Sequence, residues 1–79
     1  MYKALYFTPK YKVGTYKKFI ENFKSDFNLE IIKLLNKSYI LENKDMIVRL
    51  KPRFAEVFIY NDDNLEEIKK VKDYFYTNW

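Results

Sequence analysis

Asp62, Asp63, Glu66 and Glu67 are the one tight carboxylate cluster in the chain. Oxygen ligands so grouped could hold a hard cation such as magnesium. No calcium-loop spacing with a central glycine accompanies them, and a helix start accounts for all four. Asp63 precedes Glu66 by three residues, the spacing of a capping box in which each side chain satisfies a backbone donor of the other's residue. Negative charge there also complements the positive end of the helix dipole. The cluster is read as the start of a helix, and no metal is expected.

Residues 9–18 interleave Lys10, Lys12, Lys17 and Lys18 with Tyr11 and Tyr16. Lysines so placed can neutralise phosphates while rings stack on unpaired bases. This makes Lys10, Tyr11, Lys12, Lys17 and Lys18 the candidate nucleic-acid-binding set. Charge is asymmetric: residues 1–60 carry 12 basic and 6 acidic side chains, and residues 61–79 carry 3 basic and 5 acidic. Only two of the 15 cations are Arg, the residue favoured for bidentate phosphate and base contacts. A solvated basic loop is therefore the better reading of the segment, with nucleic-acid binding as the alternative.

Catalytic chemistry has little to work with. The chain contains no His and no Cys, which removes the usual general base near neutral pH, thiol nucleophiles, and imidazole or thiolate metal sites. Thr8, Thr15, Ser25, Ser38 and Thr77 lack a His or Cys partner that would activate them. Gly14 is the only glycine, so a glycine-rich phosphate loop cannot be built. A protein without catalysis and without a cofactor is expected.

The segment Phe54-Ala55-Glu56-Val57-Phe58-Ile59-Tyr60 alternates. As a strand it sends Ala55, Val57 and Ile59 to one face and Phe54, Glu56, Phe58 and Tyr60 to the other. If helices cover the aliphatic face, the aromatic one becomes a platform. Phe54, Phe58 and Tyr60 are then the anchors, Arg49 and Lys51 form the rim and Ile47 lies alongside, a composition typical of interface cores. Two alternatives stand beside it: the aromatics are the core face, or a homodimer buries the second face. The segment from Arg53 to Tyr60 departs from the RNA-recognition-motif signature, because the glycine after the basic residue is missing and Glu56 stands where an aromatic belongs. Membership of that family is not inferred.

The elements that must position these residues are legible from periodicity. Residues 2–8 are β-prone and end at Pro9, which removes a ladder donor. Tyr16, Phe19, Ile20, Phe23 and Phe27 recur at helical spacing, predicting a helix over residues 16–27 with Thr15 as N-cap and an aromatic stripe laid on a sheet. Residues 29–35 fit neither period cleanly. They are read as a strand turning at Asn36-Lys37 into a second strand over 38–42, with a helix as the alternative. Met46, Val48 and Leu50 alternate over a strand at 46–51, Pro52-Arg53 breaks the chain, and a strand over 54–60 follows. A last helix runs from Asp63 to about residue 77, with Leu65, Ile68, Val71, Tyr74 and Phe75 as its stripe. The expected fold is α+β: a small antiparallel sheet in the order β-α-β-β-β-α, with two helices on one face.

Seventy-nine residues allow one hydrophobic core, so a single domain over 1–79 is expected. A composition 48% hydrophobic and 20% aromatic is too apolar for a disordered chain, despite a net charge of +4. No run approaches a membrane span and no secretory signal is apparent, so the expectation is a cytoplasmic protein without a membrane partner. Lys, Asn, Ile, Tyr and Phe make up 42 of the residues, a bias expected of AT-rich coding sequence. With a compact domain lacking catalytic groups, that suits a phage or mobile-element inhibitor that occludes a host protein, of the host-takeover or anti-CRISPR type. A nucleic-acid-binding protein and an accessory subunit of a larger complex are the alternatives.

Overall fold

The computed structural model describes residues 1–8 and 16–79. Strand β1 (Lys3–Phe7) is followed by helix α1 (Tyr16–Asp26), strands β2 (Glu30–Leu35), β3 (Ser38–Glu42), β4 (Met46–Lys51) and β5 (Phe54–Ile59), and helix α2 (Leu65–Asn78). The α+β class and the antiparallel sheet with two helices agree with expectation. Residues 29–42, read as strands in preference to a helix, form β2 and β3, so four strands lie between the helices, one more than in the order β-α-β-β-β-α. The sheet order is β1-β5-β4-β3-β2, with every neighbouring pair antiparallel.

Local chemistry sets each connection. Helix α1 stops because Asn28 takes a left-handed conformation, φ 53°. The Leu29 N–H then donates to Lys24 O at 2.9 Å, and the Asn28 N–H to Ser25 O at 3.3 Å, the paired bonds of a Schellman end. Asn36 and Lys37 both have positive φ, 49° and 68°, as a tight two-residue hairpin between twisted strands requires. At the next turn the Asn43 side chain accepts from Asp45 N (2.7 Å) and Met46 N (2.9 Å), while its Nδ2 donates to Phe27 O at 2.7 Å. One amide thus shapes the β3–β4 turn and satisfies a carbonyl left free at the end of α1.

The start of α2 differs from the capping box expected at Asp63. Asn64 is the N-cap, and its side chain accepts from Glu67 N at 3.2 Å. Residues 61–64 are already committed to a turn: Asn64 N donates to Asn61 O at 3.1 Å, and Asp63 N donates to Asn61 Oδ1 at 2.9 Å. The helix can begin only after that turn, one residue later, with the same three-residue spacing now running from Asn64 to Glu67. Leu65, expected in the stripe, is 73% exposed. At ~100° per residue it lies about 90° from the centre of the stripe that Ile68, Val71 and Phe75 bury.

The core lies between the helices and one sheet face. Tyr16, Phe19, Ile20, Phe23 and Phe27 from and just after α1, with Ile68, Val71, Phe75 and Trp79 from α2 and the chain end, pack in one cluster with Leu5, Phe7, Leu41, Met46, Val48, Leu50, Ala55, Val57 and Ile59. Alternation therefore holds as read: the aliphatic face of β5 is the covered one. Phe23 is fully buried, its ring 4.9 Å from Phe27, 5.1 Å from Phe75, 5.5 Å from Tyr74 and 5.6 Å from Phe19. Aromatic packing of this kind supplies a core without a disulfide. The radius of gyration, 11.7 Å, matches the ~11.6 Å of a compact chain this long. No described helix is long and apolar enough to cross a membrane.

Candidate protein-docking face

Cross-strand partners share a sheet face, so the registers list what lies opposite the helices. Ala4 pairs with Phe58 and Tyr6 with Glu56. Ile47 also pairs with Phe58, Arg49 with Glu56, and Lys51 with Phe54. Ile40 pairs with Arg49 and Glu42 with Ile47. No described element covers this second face. Phe54, Phe58, Arg49 and Lys51 thus come together on it as the alternation predicts, and Tyr60 continues the row just beyond β5.

The structure adds two aromatic residues that the sequence reading did not place there. Tyr2 and Tyr6, 62% and 60% exposed, flank β5 from the β1 side. The Tyr2 ring meets Phe58 edge-on at 5.5 Å, and Tyr6 stacks on Phe54 at 6.0 Å. Phe54 and Phe58 are consequently partly buried beneath tyrosines. The missed signal was the alternation Tyr2, Ala4, Tyr6 against Lys3, Leu5, Phe7, which becomes informative only once β1 is known to lie beside β5. Tyr2, Ile47, Phe58 and Tyr60 together line a shallow depression of about 280 Å³.

Charges around these rings are mostly paired. Arg49 Nη2 donates to Glu56 Oε1 at 2.5 Å, so this guanidinium is held within the face. The Tyr60 hydroxyl donates to Glu42 Oε2. That hydrogen bond to a carboxylate, with a smaller contribution from burial, pushes the phenol up to about 12, keeping it a donor at all ordinary pH. Toward the β2–β3 turn, Lys33, Arg49 and Lys51 lie around a groove with Leu35, Asn36, Ser38 and Ile40. The face is apolar in its centre and cationic at one end.

The other candidates fall elsewhere. Lys10, Tyr11 and Lys12 lie outside the described residues. Lys17 and Lys18 are exposed on the first turn of α1, in the helical layer, away from the open face. Among the described residues, no three His, Cys, Asp or Glu side chains are grouped to hold a metal. A concavity of about 480 Å³ among the described residues collects Glu30, Glu42 and Asp45 with Lys44, Phe27, Asn28, Ile32 and Asn43.

Two further tyrosines serve the fold. The Tyr16 hydroxyl lies 2.7 Å from Lys37 O and 2.9 Å from Leu50 O, tying the start of α1 to the β2–β3 turn and to β4. Burial, with a smaller contribution from Tyr39, raises its ionisation far above the ordinary range. Tyr74, packed against Phe19, Phe23 and Phe27, is pushed up to about 12 by burial and then by its hydrogen bond to Asp26. Compared with protein-family models, with curated proteins and with solved structures, the chain matches none of them.

Proposed function

We propose that this chain is a small non-enzymatic protein-binding module whose open sheet face docks onto, and occludes, a protein partner. One observation supports the proposal above others: a sheet face lined by Tyr2, Tyr6, Ile47, Phe54, Phe58 and Tyr60 that no described element covers. Exposed aromatic groups in one contiguous patch are characteristic of interaction surfaces. Rings that already pack on one another lose little rotamer freedom on binding. Phe54, Phe58 and Tyr60 act as anchors, with Tyr2 and Tyr6 beside them. Arg49 and Lys51 contribute at the rim, Arg49 through its fixed pair with Glu56.

The broader assignment, an inhibitor of phage or mobile-element origin acting on a host protein in the cytoplasm, belongs to the same proposal and draws on composition. A nucleic-acid partner would instead use Lys17 and Lys18 on α1, together with the lysine-tyrosine segment before it. The two differ in salt dependence: phosphate neutralisation gives a log-log slope of ~0.7–0.9 per contacted phosphate, while an aromatic protein interface changes much less. Phe58→Asp tests the face directly, and Tyr6→Asp provides a second probe at a residue that is mostly exposed. Both variants, shown to be folded by circular dichroism, are expected to lose the partner. Full binding by folded variants would rule the face out.

A further inference from the structure

Strand β2 is the outer edge of the sheet, and all six of its residues are exposed. Ile31 and Leu34 pair with Leu41 and Tyr39, which places them on the helix side. The helices do not reach that far: Ile31 is 42% exposed and Leu34 59%, while Leu35, on the other face, is 60% exposed. The edge therefore presents apolar side chains on both faces beside a backbone ladder that no other described strand pairs, an arrangement that seeks another strand.

The charges on β2 say which strand. The β2–β3 register slips by one residue between Ile31 and Lys33, so Ile32 is an extra residue in the strand. As a result Glu30 and Lys33, three apart, both lie on the open face, paired with Glu42 and Ile40. Neither takes part in an ion pair among the described residues. Glu30 instead stands opposite a second carboxylate, an unfavourable cross-strand pairing.

We propose that β2 is a homodimerisation edge, pairing antiparallel with β2 of a second copy about a two-fold axis between Ile31 and Ile32. In that register Glu30 of each copy faces Lys33 of the other, and the isoleucines meet around the axis. Each Glu30 then gains a cation, where among the described residues of its own chain it has no ion pair. Lys33, a charge of the kind that guards edges against indiscriminate pairing, admits only a strand that brings a carboxylate to it. A two-fold axis perpendicular to the sheet keeps both open faces on the same side. The dimer is a ten-stranded sheet presenting two copies of the docking face, an arrangement distinct from the docking reading and independent of it.

Charge exchange tests the register. Sedimentation velocity is run on the intact chain, Glu30→Lys, Lys33→Glu and the double exchange, over tens to hundreds of micromolar, the range suited to a small interface. Wild type is expected to associate to a dimer. Each single variant sets two like-charge contacts across the axis and weakens association at least ~10-fold. The double exchange restores the dimer to within ~3-fold of wild type. A wild type monomeric throughout, single variants that dimerise as well as wild type, or a double exchange no better than the worse single variant would each overturn the proposal. All four proteins are compared by circular dichroism; the substituted side chains are exposed, and the fold is expected to be unchanged.

Discussion

Replacing Phe23 by Ala and, separately, Tyr6 by Ala compares the two sheet faces in one experiment. Phe23 is completely buried, with four aromatic rings within 6 Å of its own. Removing a buried phenylalanine ring costs ~3–5 kcal/mol through lost transfer and an unfilled cavity. A domain of this length has a total stability of only ~4–12 kcal/mol at the usual ~0.05–0.15 per residue. At ~4–8 °C per kcal/mol for this size, Phe23→Ala lowers Tm by about 12–40 °C. Tyr6 is 60% exposed and touches Phe54 by one stacked contact at 6.0 Å. Its removal forfeits a minority of its apolar area plus one weak ring pair, ~0.5–1.5 kcal/mol. Urea unfolding followed by far-ultraviolet circular dichroism measures both. The expected result is a gap of at least ~1.5 kcal/mol between the two variants, with Phe23→Ala the worse. Equal losses would mean that the tyrosine-lined face is part of the core, and the docking proposal would lose its physical basis.

Other outcomes follow from individual contacts. Tyr16→Phe removes a hydroxyl placed between two carbonyls and should cost ~1–2 kcal/mol in the same urea assay. Asn64→Ala should cost ~1 kcal/mol as a lost N-cap, while Asp63→Ala, whose side chain is not the cap, should change stability by less than ~0.5 kcal/mol. Tyr60 and Tyr74 ionise near 12 in the fold against an ordinary 10.0. In the unfolded chain they lose protons first, so their contribution is complete below pH ~10 and is lost as pH rises from ~10 to ~12. Urea midpoints at pH 9 and 11 should show that fall, and absorbance at 295 nm should show late-titrating tyrosines. Glu42→Gln should return Tyr60 most of the way toward its ordinary value, because the carboxylate is its main perturbation. Asp26→Asn should leave Tyr74 well raised, because burial is the larger cause there.

What could be read from the residues, and what could not, follows from how far each signal reaches. The period of Tyr16, Phe19, Ile20, Phe23 and Phe27 located α1 because a helix carries its own hydrophobic stripe. The alternation of β4 and β5 did the same for their covered faces. The turn at Asn36-Lys37 was likewise visible as local chemistry, though not its left-handed backbone. Residues 30–35 resisted because an edge strand with an extra residue breaks the two-residue period, and because its apolar groups answer to no helix above them. The N-cap of α2 moved from Asp63 to Asn64 because a preceding turn, invisible to a spacing rule, had already consumed the earlier position. For the docking face, Phe54, Phe58, Arg49 and Lys51 lie together because they alternate along neighbouring strands. Tyr2 and Tyr6 join them only through the pairing of the first strand with the fifth, a contact between residues about fifty positions apart. The Arg49–Glu56 pair depends in the same way on the β4–β5 register.

Docking through the open face is tested most directly by affinity capture from nuclease-treated lysate of the source cells, with wild type and the folded Phe58→Asp and Tyr6→Asp variants run in parallel. The docking account predicts a protein retained by wild type after nuclease treatment and lost from both variants. A protein captured equally by all three, or captured only while nucleic acid is intact, would contradict it.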